Sequence, residues 1–591
     1  MSDLSIVTQR AVEMLRLEYC GAQPRYVDGV NVGWGFPALV KDSKYAYFPD
    51  IDYGDKTVSA WQCRNHLSRL LYMAAALGDA EGEKLWEILA AIDFWVDNNF
   101  INPNWWHNRI GTPSMLAAIC LLLGGRLGDE RLEKCLGIIS RGSISHNPGI
   151  LKDTGANLLW GVRITIYYAL LTRDEELLQK ASGYLAGEIK TDGYEGIKPD
   201  YSFHQHGPQL YSCGYGRSFT SDVAKLIYLL SGTKFSLSKE KMLLFESFIL
   251  EGQRYFTRRG AVDYLAVGRE IARSCALSSD AIREAVFYML QTPGYGSYGE
   301  LQSYYDSLCG IACGFSGTKY FEHSYFLSHN RPEFHIGVQG AHADFVGTEW
   351  GNGENRLGYN LARGGNLCLL SDGREYFDLA PVWDWSKLPG TVSPPYTDEE
   401  LRSICTGWGG PRGKNRDCIG YAKDGLGALA FRLEGDGLEG YLAYIAFDEG
   451  LLILGCGIKG PAGTTMTVDQ CLVSEFSVET AGLLKKGAAI SCEGFEYTNL
   501  CSSPLEYSIK MRTGSWKRVN DAAADEQITL PVFTIYYDEP SDIACAVTTR
   551  GKGTSTIAEI YNTTECQGAR FASGRSIVVT RNGIDIKIEI K

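Results

Sequence analysis

The chain has 591 residues, beyond the size at which a single hydrophobic core keeps growing, so two or more domains are expected. Its 45% hydrophobic and 21% charged residues are those of a folded globular protein and exclude extended disorder. A net charge of −13, from 70 acidic against 57 basic residues, argues against general nucleic-acid binding, so an anionic ligand would need a local basic pocket.

The first segment, Met1 to Leu17, reads MSDLSIVTQRAVEMLRL, and charges interrupt every apolar run. It has no export-type apolar core, and no later stretch reaches the roughly 18 uninterrupted apolar residues of a membrane span. Seventeen cysteines without zinc-type CxxC pairs fit reduced thiols, and with them a cytoplasmic location. Cys309 and Cys313 form the tightest pair, spaced for one helix face and for packing. From about Trp61 to Gln291 apolar residues recur with helical spacing, as in RNHLSRLLYMAAALGD and GANLLWGVRITIYYALL, separated by short Gly, Asp or Asn breaks. Such antiparallel helical hairpins, arranged in a ring, make an α/α toroid. After about Tyr325 the pattern shifts to alternating runs divided by turns, such as GYLAYIAFDEGLLILGCGI and PVFTIYYDEP, which predict antiparallel β-structure. The expected organisation is therefore α+β and multidomain: an α/α toroid over residues 1–325, then an antiparallel β-sandwich over 326–591.

Four segments carry candidate chemistry. In NWWHNRIGTP, Trp105 and Trp106 cannot both face the core of one helix, so at least one meets solvent or ligand. In DYSFHQHGPQLYSCGYGRSF, two His and three Tyr, broken by glycines, describe a constrained loop that projects titratable groups, among them His206, Tyr211 and Tyr215. In RRGAVDYLAVGREIAR, Arg269 and Arg273 stand at i and i+4 and would share a helix face, suited to a carboxylate or sulfate and able to ease ionisation of a nearby tyrosine. In EWGNGENRLGY, Glu354 and Asn355 lie in a Gly- and Asn-rich turn. Taken singly, each segment has a plain packing, turn or surface ion-pair explanation. Downstream, VWDWSKLPGTV puts Trp383 and Trp385 on one face of an extended strand.

Together the segments resemble polysaccharide lyase family 8, the hyaluronate, chondroitin AC and xanthan lyases. The matching pieces are NWWHNRIGTP, TGANLLW, SFHQHGPQLYSCGYG, VGREIAR, NGENRLGYN and WDWSKLPGT, in the family's order between residues 104 and 392. The resemblance implies an α/α toroid followed by β-sandwich domains, and cleavage of an anionic, uronate-containing glycan by β-elimination. It implies that Asn157 binds the uronate carboxylate, that Tyr215 takes the C5 proton and protonates the leaving oxygen, and that His206 assists. Arg269 and Arg273 would hold Tyr215 near ionisation, and Glu354 would orient Arg269 or His206. Trp105 and Trp106 would stack on sugar rings, with Gln205, Arg273 and Asn355 as further substrate contacts. It calls for no metal or organic cofactor and no nucleic-acid or membrane partner. Leu151 stands near where some members carry an aromatic, which implies a smaller stacking patch and shorter substrates; the missing export signal and the early end for the family imply imported oligosaccharides and a trimmed last β-domain. Two other readings stay open: a glycoside hydrolase on an α/α toroid, for which Asp200, Asp263 and Glu354 are the available carboxylates, and a non-catalytic glycan-binding protein.

Overall fold

In a computed structural model, residues 2–20, 26–27, 30–31, 36–78, 81–292, 296–312, 314–414, 417–582 and 585–591 are described. Two compact units emerge, one formed by residues 1–190, 219–245 and 288–296, the other by 191–218, 246–287 and 297–591.

The first unit is helical. Its helices start and stop on local chemistry: the Ser2 hydroxyl accepts from the Ser5 amide ahead of Asp3–Tyr19, the Asp174 carboxylate caps Glu175–Glu188, and Asn99 closes Glu83–Asn98 in the left-handed conformation. Thr112–Leu123 is apolar all round and almost wholly buried. The helical run His107–Leu127 is long and apolar enough to cross a membrane, but most of it is covered by the unit's own residues, as in a core helix.

The second unit carries the four larger sheets, and all of their strand pairs are antiparallel. A four-stranded sheet runs in the order 366–370, 334–339, 326–331, 317–321. A seven-stranded sheet follows the order 419–423, 426–435, 438–447, 450–459, 543–549, 495–499, 489–492. A five-stranded sheet is ordered 392–393, 465–472, 528–538, 505–514, 480–484. The last sheet is formed by 557–562, 566–571, 576–582 and 585–590. The inner strands of the seven-stranded sheet are buried on both faces. On one, Leu426, Ala428, Ala430, Ile445 and Leu454 pack with Ala569, Phe571, Ile577 and Val579 of the last sheet. On the other, Tyr497 meets Phe533 of the five-stranded sheet, with ring centroids 5.4 Å apart, and the Tyr537 hydroxyl donates to the Ala544 carbonyl. This is a layered sandwich, as the period-2 alternation predicts.

One sequence expectation is corrected. Trp383 and Trp385 lie in turns, not on a strand, and both are buried, edge to face, with their indole N–H groups on the carbonyls of Gln470 and Ala380. They are core, because a buried indole that finds an acceptor gains both area and a hydrogen bond. Every described cysteine is a free thiol, and Cys313 lies outside the described residues.

Candidate active site

The site is built on a short hairpin. Strands Gly196–Ile197 and Phe203–His204 pair with Gly196 opposite His204, and the Tyr211 amide returns to the Phe203 carbonyl at 2.8 Å. Six residues, 205–210, are thereby gathered into a tight loop, in which His206 takes φ +60° and Gly207 φ +94°. Tyr215 opens the helix Tyr215–Leu230 just beyond. The loop thus delivers His206, Tyr211 and Tyr215 to one place: the His206 ring is 4.8 Å from Tyr215 and 6.1 Å from Tyr211, all edge to face.

The second contribution is the 3₁₀ turn Gly268–Ala272. Arg269 is buried and reaches four of the site's groups. Its Nη2 donates to the Tyr215 hydroxyl at 3.1 Å, its Nε to Glu354 at 3.1 Å, its Nη1 to Glu349, and its backbone amide to the Tyr211 hydroxyl at 3.0 Å. Gly268, at φ +58°, is required by close approach: a Cβ there would lie 2.1 Å from the Tyr211 ring. Arg273 is extended and lies outside the turn, so the two arginines do not share an α-helical face as expected. They converge through Glu354 instead, which accepts from Arg273 Nε at 2.6 Å and Nη2 at 3.0 Å.

The third contribution is the segment 349–355. Glu349, buried, accepts from the Tyr211 hydroxyl at 2.6 Å and lies 3.0 Å from His206 Nδ1. A carboxylate at Nδ1 takes the N–H and leaves Nε2 with the lone pair. Arg269 Nη1 also lies 3.4 Å from Nδ1, where two donors share one carboxylate. Although burial pushes the Glu349 carboxyl up, the His206 hydrogen bond and the Arg269 charge bring it down to about 2. Glu354 is lowered too: Arg273 and Arg269 outweigh the effect of its burial. Glu349 is thus the His206 partner, a role the sequence reading offered to Glu354, and Glu354 serves the two arginines. Burial pushes the Tyr215 phenol above its ordinary value, and the Arg269 charge and hydrogen bond offset this only in part. Burial thus opposes the easing of Tyr215 ionisation that the arginines were expected to provide.

Two other expected contacts are committed elsewhere. Asn355 is fully buried, and its amide donates to the Glu349 carbonyl at 2.7 Å and the Thr348 hydroxyl at 3.1 Å, so it shapes the segment carrying Glu349 and is closed to substrate. Gln205 is also buried, its amide on Glu195. Trp408, which the sequence reading missed, is 56% exposed, 5.5 Å from the His206 ring, with the Arg269 guanidinium 5.1 Å over its face. Its signal was weak because a tryptophan among glycines carries no period. Gly351 makes room for it, since a Cβ there would lie 2.2 Å from the indole.

Asn157, Trp105 and Trp106 belong to the helical unit. Asn157 sits part-exposed in the first turn of Gly155–Thr172. Trp105 is 47% exposed beneath the Arg109 guanidinium, 4.9 Å from its ring, while Trp106 is half-buried against Arg64 and Trp160. The exposed Leu151 offers no ring.

Among the described residues one cluster combines metal-ligating side chains, the buried Asp263, His335 and Cys368. Both His335 nitrogens are already engaged inside the protein, with Asp263 at 2.8 Å and Asn330 at 2.9 Å.

The family model "Polysaccharide lyase family 8, N terminal alpha-helical domain" matches residues 38–307, and "Polysaccharide lyase family 8, super-sandwich domain" matches 316–548. The chain is 29% identical over 516 residues to the chondroitinase-AC of Pedobacter heparinus, covering 82% of this chain and 72% of that protein. It is 25% identical to a hyaluronate lyase of Thermasporomyces composti, covering 74% of this chain and 63% of that one, less than two thirds of its length. A solved chondroitinase AC lyase, known from enzyme–oligosaccharide complexes, shares the fold with a TM-score of 0.83 at 22% identity, over 98% of this chain and 89% of that one. With both domain models matched in order along most of its length, the chain belongs to polysaccharide lyase family 8.

Proposed function

We propose that the protein is a lyase that cleaves uronic-acid-containing glycans of the chondroitin or hyaluronan type by β-elimination. The observation that carries this reading is the Arg269-centred network, which sets an imidazole held at Nδ1 by Glu349 beside the Tyr215 phenol. His206 Nε2 takes the C5 proton of the uronate. The electron pair left at C5 forms the C4–C5 double bond as the C4–O bond breaks, and Tyr215 protonates the departing oxygen. No water enters, and one chain end carries an unsaturated uronate. The exposed ring of Trp408, beside His206, holds a sugar face.

A hydrolase needs one carboxyl kept protonated by a raised pKa. Glu349 is lowered by His206 and Arg269, Glu354 by Arg273 and Arg269, and Asp263 is sealed against His335, so none of these three suits that role. The test is incubation of the purified protein with chondroitin and hyaluronan while following the ultraviolet absorbance of unsaturated uronate. A rise is expected, and the Tyr215→Phe variant should lose about 10²- to 10⁴-fold in kcat while keeping its fold. Saccharide products without that absorbance would overturn the reading.

A further inference from the structure

We infer that Glu195 is a positioning residue for this site, a carboxylate clamp that holds His206 in its left-handed conformation. This rests on the reading of His206 as the base. Gly196 pairs with His204, so Glu195 and Gln205 are the next cross-strand neighbours, immediately beyond the hairpin's last paired residues. Glu195 uses both carboxylate oxygens on the two neighbours of His206: one accepts the Gln205 amide at 2.5 Å, the other the Gly207 backbone N–H at 2.8 Å. Between these two anchors His206 sits at φ +60°, a region that L side chains rarely adopt and that persists only where its surroundings impose it. Gly207 follows at φ +94°, with the Tyr194 hydroxyl beside it: a Cβ on Gly207 would lie 3.4 Å from that oxygen.

The imidazole has one further fixed point, Glu349 on Nδ1. Glu349 sets the ring's tautomer and Glu195 the direction in which the backbone aims it. Both are required, because a reacting nitrogen displaced by about 1 Å costs up to ~100-fold in rate.

The test compares wild type, Glu195→Ala and Glu195→Gln. Each is checked for folding by circular dichroism, then measured for kcat and KM on chondroitin, and for hydrogen–deuterium exchange in a peptide spanning residues 203–210. Glu195→Ala, which loses both acceptors, should fall ~10- to 100-fold in kcat with KM within about threefold. Glu195→Gln can still accept from the Gly207 amide through its one remaining oxygen and should fall between Glu195→Ala and wild type. Exchange in the peptide should rise in the same order. Wild-type kcat and exchange in either folded variant, or a loss confined to KM, would overturn the clamp. If Glu195→Ala does not fold, Glu195→Gln decides alone. A wild-type enzyme that yields no unsaturated product, with exchange still rising in the variants, would sink the assignment of function and leave the clamp standing.

Discussion

Arg269 shows how one residue can order a site. Its guanidinium serves two carboxylates and a phenol, and its amide serves a second phenol. The planar fork allows this, and the point charge of a lysine would not. The carboxylates are thereby fixed as anions, and this has a measurable consequence at Glu349. Its carboxyl sits at about 2 in the folded protein against about 4.3 when unfolded, so the unfolded chain binds more protons between those values. The stability it contributes is fully present above pH ~4.3 and is lost as pH falls toward 2. Urea titrations across that window should show this decline, and Glu349→Gln should flatten it while removing most activity. An unchanged acid profile in the variant would show that Glu349 is not so paired.

Apart from the helix that begins at Tyr215, the elements that carry these groups are short: a hairpin of two-residue strands, a 3₁₀ turn and a glycine-rich segment. None has the length to be stable alone, so each depends on close contact with its neighbours. Gly268 is the tightest such contact, combining φ +58° with a Cβ position 2.1 Å from Tyr211. Gly268→Ala should cost roughly 1–3 kcal/mol from backbone strain alone, and more from the clash. Thermal melts should show a lowered Tm, and activity should drop because the displaced Tyr211 no longer braces Glu349 and the Arg269 amide. A variant with wild-type Tm and turnover would mean that the turn yields freely. The same closeness explains why Arg269 and Arg273 meet at Glu354 although no α-helix aligns them.

At the scale of the whole molecule, the sandwich hides a carboxyl between two sheets. Asp469 of the five-stranded sheet is buried and held by the hydroxyls of Tyr376 at 2.8 Å and Tyr497 at 2.5 Å, the latter from the seven-stranded sheet. Burial raises it to about 6, and the hydroxyl donors offset only part of this. The folded state therefore binds the extra proton between pH ~4 and ~6, and stability falls as pH rises through that window. Asp469→Asn should abolish that slope in chemical denaturation; a slope of unchanged size would place the titration elsewhere. The large organisation was readable from the chain alone, because hydrophobic period depends on local geometry: 3.6 for the helices, 2 for the strands. So was the identity of His206, Tyr215 and Arg269 as one group, since ordered motifs carry their spacing along the chain. Partnership was not readable. Glu349 and Glu354 stand five residues apart in one turn, and nothing linear says that the first meets an imidazole 143 residues away while the second meets Arg273. Nor does composition tell the buried Trp383 and Trp385 from the exposed Trp408. Which acid holds which base, and which ring faces water, are settled by contacts between segments distant in the chain, and those exist only after the layers have packed.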